Sequence, residues 1–241
     1  MAAMLVVVVL VGFVPDSLGK IAAVQAGERP PFPVAMHAHA VLMGSWMSLL
    51  LAQTTLMATG RKQGHMQLGL LSMVLAPALI IAGLVLVPTN LQLMVEFGAG
   101  GSAEMQAMVQ GFLVEMTDIA LLQLRIAICF PILVFLALRA RKSDPALHKR
   151  LIVLATIAPM PAATDRMAFL YNAMPASPWT ADLWPLFLIA PMFLWDLYRQ
   201  GSIHRAYWIY AAIQVPAALI VNLLWGSEWW HSVAPPILYG G

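Results

Sequence analysis

Charge is the scarcest commodity in this chain. Asp, Glu, Lys and Arg make up 10% of its 241 residues, against about 25% in a soluble domain. A shell of charged side chains around a water-soluble core is therefore excluded. Cysteine occurs once, as Cys129 in the middle of an apolar run. That excludes an intrachain disulfide and a CxxC metal site, and leaves a small buried apolar residue as the expected role. No lysine falls within a long apolar segment: Lys20, Lys62, Lys142 and Lys149 all lie in connections, which excludes a retinal Schiff base. There is no P-loop, so no ATP-driven pump. The HxxxH, HxxHH and HExxH patterns of membrane desaturases and proteases are missing as well. No basic tract points to nucleic acid.

What is present is hydrocarbon. The chain is 61% hydrophobic with a mean hydropathy of +0.81, the composition of an integral membrane protein. The expected fold is all-α, a single transmembrane bundle over residues 1–241. About seven spans are expected: Ala2–Val14, Val34–Thr59, Leu68–Val87, Ile119–Leu138, Leu151–Tyr171, Leu183–Tyr198 and Ala206–Trp225. The opening MAAMLVVVVLVGFVP lacks a basic leader region and an A-x-A-like cleavage site, so it reads as a retained first span. At ~1.5 Å per residue it gives only ~21 Å against a core of ~30 Å. The segments Pro15–Pro33 and Pro88–Gly111 read as outer loops, the second with a flexible FGAGGSAE centre.

Orientation follows from the basic residues. The short breaks GRKQGH, RARKSDPALHKR and RQGSIHR hold nine of the thirteen Lys and Arg. The positive-inside rule places these breaks in the cytoplasm of a bacterial inner membrane, with the N-terminus inside and the C-terminus outside. The basic run in the RARK/HKR connection suits anionic headgroups at that surface. Trp179, Trp184, Trp225, Trp229, Trp230 and Tyr171 then form an aromatic belt at the outer interface. Each break also carries a histidine at the head of the next span: His65, His148 and His204.

A few polar residues lie within the spans. Arg125 interrupts the apolar run after Ile119, at a cost of roughly 2.5–3.5 kcal/mol on insertion scales. On a regular helix it shares a face with Glu115, Asp118, Leu122 and Cys129. Asp165 and Arg166 are expected at a similar depth on the fifth span, ~9 Å below the outer edge, and His39 enters that layer from the second. Such groups pair with one another or line a cavity. The expected pairs are Arg125 with Asp165 and Arg166 with Asp118. Pro159 and Pro161 in mid-span predict a bent helix beside them. Gly44-x-x-x-Ser48 reads as a face for close helix approach. His37 and His39, two apart, point roughly opposite ways on a straight helix; at a frayed end they and Glu115 offer the outer side its ligands for a metal ion. Asp182 reads as an acid near a helix start, and Asp196, Gln214 and Asn222 as interhelical hydrogen-bonding groups.

Two stretches, HAHAVLMGSWMSLLLAQTTLMATGRKQGHMQLG and HKRLIVLATIAPMPAATDRM, resemble segments of a group of uncharacterised bacterial multi-pass membrane proteins. The shared pattern is H-x-H…W…Q…GR…H…G followed by HKRL…LAT…DR. More distantly, R-x-x-x-H at the head of a span is similar to heme-carrying cytochrome b561-like membrane proteins. That second likeness implies heme b, with His39 or His65 and His148 as ligands; bis-histidine heme needs two histidines at one depth on different helices. Three functions follow as expectations. The first is a redox component holding heme, a quinone or a metal ion, with Arg125 and Arg166 on an anionic or polar group. The second is a proton-coupled carrier using Asp118, Arg125, Asp165 and Arg166. The third is a structural subunit of a membrane complex or homo-oligomer, in which the ion pairs only fasten helices.

Overall fold

The computed structural model describes residues 1–240. These are about 80% helical, without strands among the described residues. Among the described residues six helices are long and apolar enough to cross a membrane. They are α1 (Ala2–Gln25), α2 (Val34–Ala58), the near-continuous pair α3 (Lys62–Gly69) and α4 (Ser72–Ala99), α5 (Ala103–Ala140), α8 (Trp179–Gln200) and α9 (Arg205–Leu224). The sequence led us to expect one more span over Leu151–Tyr171, bent at its two prolines. The chain there forms α6 (Pro145–Ile157) and the single turn α7 (Pro161–Thr164), then unwinds. Pro159 and Pro161 explain the break: neither carries an amide proton, so two hydrogen bonds of the helix ladder are missing within three residues. A last short helix, α10 (Glu228–Leu238), caps the bundle.

Several boundaries differ from expectation, for one reason. Proline inside an apolar helix is tolerated when neighbours satisfy the freed backbone. The first helix runs through Pro15 to Gln25, so its 24 residues give ~36 Å rather than ~21 Å. Pro88 likewise leaves α4 intact to Ala99, and α5 begins at Ala103 with Ser102 accepting from Met105 N at 3.3 Å. The expected loop 88–111 is therefore mostly helix.

The core lies on the α5–α6 seam. Leu133 and Ala137 of α5 meet Leu151, Leu154, Ala155 and Ile157 of α6, all fully buried. Because lipid is as apolar as leucine, close packing rather than water exclusion holds such a seam. α2 joins it through Trp46, whose Nε1 donates to Thr156 Oγ1 at 3.2 Å. A tight backbone approach lies elsewhere. A Cβ on Gly12 of α1 would lie 2.3 Å from the Ala163 carbonyl oxygen of α7. Gly44, expected to serve this purpose, has nothing within 4 Å; its face carries no neighbour.

Candidate functional site

Two polar layers cross the bundle. One lies toward the end bearing α10, the other toward the end bearing the three basic connections. At the α10 end, Arg125 is 6% exposed. Its Nη1 donates to Asp182 Oδ1 on α8, and Asp182 Oδ2 accepts from Asn222 Nδ2 of α9 at 3.2 Å. Three helices are thus joined through one carboxylate. Asp182 does stand in the first turn of α8, but its partner is a cation and not only its own helix end. Asp118 does not meet Arg166. Its Oδ1 accepts from Gly226 N at 3.0 Å and from His231 Nε2 at 2.8 Å, which pins α10 onto α5. Trp230 strengthens that contact, donating from Nε1 to Thr117 O at 2.7 Å.

Arg166 faces α1. Its Nε donates to Asp16 Oδ2 at 3.1 Å and its guanidinium lies 4.7 Å from the Phe13 ring centre, a cation–π arrangement. Asp16 also accepts from Lys20 at 2.6 Å. Both expected pairings therefore fail. Helix rotation and the unwinding after α7 decide which of these residues meet.

Asp165 is left over. Its Oδ1 is buried without a hydrogen-bond partner, while the charges of Arg166 and Arg125 both act on it. A carboxylate in that position has cations nearby and none bonded to the orphaned oxygen. Chemically it can take up a proton or receive a donor from a visiting molecule.

The second layer was not foreseen as a site. Arg150, 7% exposed, and Asp196, 6% exposed, form a two-pronged pair: Nε to Oδ2 and Nη2 to Oδ1, both 2.6 Å. Tyr207 of α9 adds its hydroxyl to Asp196 Oδ2 at 2.6 Å, and Arg150 Nη1 donates to Ala146 O at 2.8 Å. The sequence reading counted Arg150 among the residues facing headgroups. A signal was available: Arg150 falls in step with Leu147, Leu151 and Leu154, the buried stripe of α6. At the adjoining corner Asp144 accepts from Leu147 N at 3.0 Å, starting α6, and pairs with Arg205. His204 Nδ1 accepts from Ala206 N at 3.1 Å, starting α9.

The remaining histidines are dispersed. His37 is exposed and stands edge-on to Phe32; His39 packs toward Gly83 of α4; Glu115 is on α5. Among the described residues no three His, Cys, Asp or Glu side chains gather as a metal-holding group, so His37, His39 and Glu115 are not brought together. Regular helix through both histidines is the reason, since two residues turn the direction by about 200°. His148 Nδ1 is bonded to Ala137 O at 2.8 Å. His65 Nδ1 is buried and unpartnered.

Two grooves between the helices are apolar. One of about 380 Å³ runs between α2 and α4, and one of about 320 Å³ between α1, α7 and α8. Compared with protein-family models, with curated proteins and with solved structures, the chain matches none.

Proposed function

We propose that this is a multi-pass protein of a bacterial inner membrane, a carrier that couples solute movement to protonation of Asp165. The observation that carries the reading is the unpartnered Asp165 oxygen at the end of a broken helix, within the fields of Arg125 and Arg166. Discontinuous helices form binding sites near mid-membrane in carriers, and intramembrane carboxylates mark proton paths. The basic connections argue for a cytoplasmic N-terminus and an external α10. On that orientation the α6–α7 stretch makes the seventh crossing and the Asp165 layer lies in the outer leaflet. A redox role has less behind it: Arg125 and Arg166, meant to hold heme propionates or a quinone head, are engaged by Asp182 and Asp16.

The test is an infrared titration paired with proton-flux measurement. In wild type a carboxyl band gains and loses its proton across the titration; Asp165→Asn lacks that band. Proteoliposomes loaded with a pH dye, challenged with amino acids, organic acids and organic cations, show solute-dependent proton movement that Asp165→Asn abolishes. A carboxyl that never protonates, with no solute-dependent flux in wild type, overturns the proposal. Fusions of alkaline phosphatase and green fluorescent protein to each terminus check the orientation.

A further inference from the structure

The last helix is hung differently from the others. α9 ends at Leu224 and α10 starts at Glu228, so Trp225, Gly226 and Ser227 make the joint between them. Trp225 fixes its near side, donating from Nε1 to Pro175 O at 2.8 Å. Gly226 follows in the left-handed region, at φ 66°, which glycine adopts without a Cβ penalty. Ser227 then caps α10, accepting from Trp230 N at 3.2 Å. With 11 residues, α10 is shorter than the roughly 12–15 that an isolated helix needs. It buries only Trp230 and Ala234, while Trp229 and Ile237 stay exposed. So few buried apolar contacts mark an element that opens ahead of the global fold.

Beneath α10 lies the junction of α5, α8 and α9. Trp230 and Ala234 share one apolar cluster with Leu122, Ala181 and Val221. Leu122 stands one turn before Arg125, Ala181 precedes Asp182, and Val221 precedes Asn222. These are the neighbours of the three groups joined through the Asp182 carboxylate, so α10 roofs that contact. Asp182 keeps an open flank, whereas Arg125 is closed off. The roof is held by very little. Asp118 Oδ1 takes one bond from Gly226 N, inside the joint, and one from His231 Nε2, within α10. The adjacent Thr117 accepts from Trp230 Nε1. One carboxylate therefore holds the joint and the helix at once, and losing it frees both together.

We propose that α10 is a hinged lid, turning at Gly226 and latched by Asp118, that opens the α5–α8–α9 junction to water. The lid stands apart from the carrier reading, because thiol labelling reports its motion whether or not Asp165 takes up a proton. The test uses full-length protein in phosphatidylcholine nanodiscs. Cys129→Ala removes the native thiol and Ala181→Cys places one under the lid. The probe is a water-borne methanethiosulfonate carrying a quaternary ammonium. Labelling is slow with the latch intact. Asp118→Ala removes two hydrogen bonds to a carboxylate and speeds it by about tenfold or more; His231→Ala removes one and acts in the same direction, less strongly. Ala155→Cys, on the fully buried α5–α6 seam, reports global loosening and keeps its rate in both backgrounds. An Ala181→Cys rate that Asp118→Ala leaves unchanged overturns the proposal, as does an equal acceleration at Ala155→Cys. Should these variants fail to fold, hydrogen exchange on wild type decides. Amides of α10 that exchange as one group, ahead of α5 and α9, support the lid; α10 amides as protected as those of the α5–α6 seam overturn it.

Discussion

Removing Asp196 provides the most direct test of the polar network toward the basic end. Arg150 and Asp196 have side chains 8% exposed each, so solvent does little to screen them. Substituting Asp196→Ala leaves the Arg150 guanidinium buried with only Ala146 O and any recruited water. Breaking a buried pair from one side costs about 3–5 kcal/mol, which at 1.4 kcal/mol per decade is roughly a hundred- to several-thousand-fold shift in the folded fraction. Tyr207→Phe removes one hydrogen bond to the same carboxylate and costs about 1.5–3 kcal/mol, the range for a bond to a charged group. The informative variant is the double one. Arg150→Met with Asp196→Leu removes both charges, and a buried pair replaced by apolar groups is often neutral or stabilising. Steric-trap unfolding in bicelles measures all three. The single variants should fall well below wild type and the double variant should return near it. A double variant as unstable as Asp196→Ala, or an Asp196→Ala protein indistinguishable from wild type, refutes the reasoning.

Other consequences are cheaper to check. Gly12→Val places side-chain atoms against the Ala163 carbonyl and should lower the detergent melting temperature by several degrees, while Gly44→Ala leaves it unchanged. Asp118→Asn weakens the hold of His231 on α5, so limited proteolysis should release the α10 segment faster than in wild type. The Asp144–His204 corner predicts a pH dependence. The Leu147 N–H, then Arg205, holds the Asp144 carboxyl below its ordinary range. Its contribution is thus complete above the unfolded carboxylate value and disappears as pH falls through the lower folded one. Burial, then Arg150, lowers the His204 imidazole, so the folded state favours the neutral ring and stability falls as pH drops below about 6.5, its unfolded value. Melting temperatures taken from pH 8 to pH 3 should decline first through the histidine window and again in acid. Asp144→Asn should flatten only the second step.

Much of this fold can be read from the residues, because apolar length alone marks a span. The broken fifth span was signalled by Pro159 and Pro161, and the buried face of α5 by the spacing of Asp118, Leu122, Arg125 and Cys129. Proline was over-read elsewhere: Pro15 and Pro88 sit inside intact helices. Pairings are the part that sequence conceals. Depth is one coordinate, and a side chain's partner depends on two more, the rotation of its helix and the identity of the neighbour. Asp16, seemingly in a loop beyond the first span, meets Arg166 only because α1 continues and packs on α7 through Gly12. His231 lay in an apparent tail, and nothing in its local sequence reveals that α10 folds back over Asp118.

The two polar layers share a helix, and this constrains how the bundle can move. Asp182 and Asp196 are fourteen residues apart on α8. At 100° per residue they lie within about 40° of one line, separated by ~21 Å. Asp182 answers to α5 and Asp196 to α6, and α9 supplies a partner at each level through Asn222 and Tyr207. α8 therefore cannot rotate about its axis or slide by a turn without breaking both contacts, whereas a tilt breaks one and spares the other. Of the two, the Asp182 contact is the weaker fastening: its side chain is 33% exposed, against 8% for Asp196, and its cation has a single bond to it instead of two. Opening at the α10 end, beside Asp165, is thus the motion that these contacts resist least.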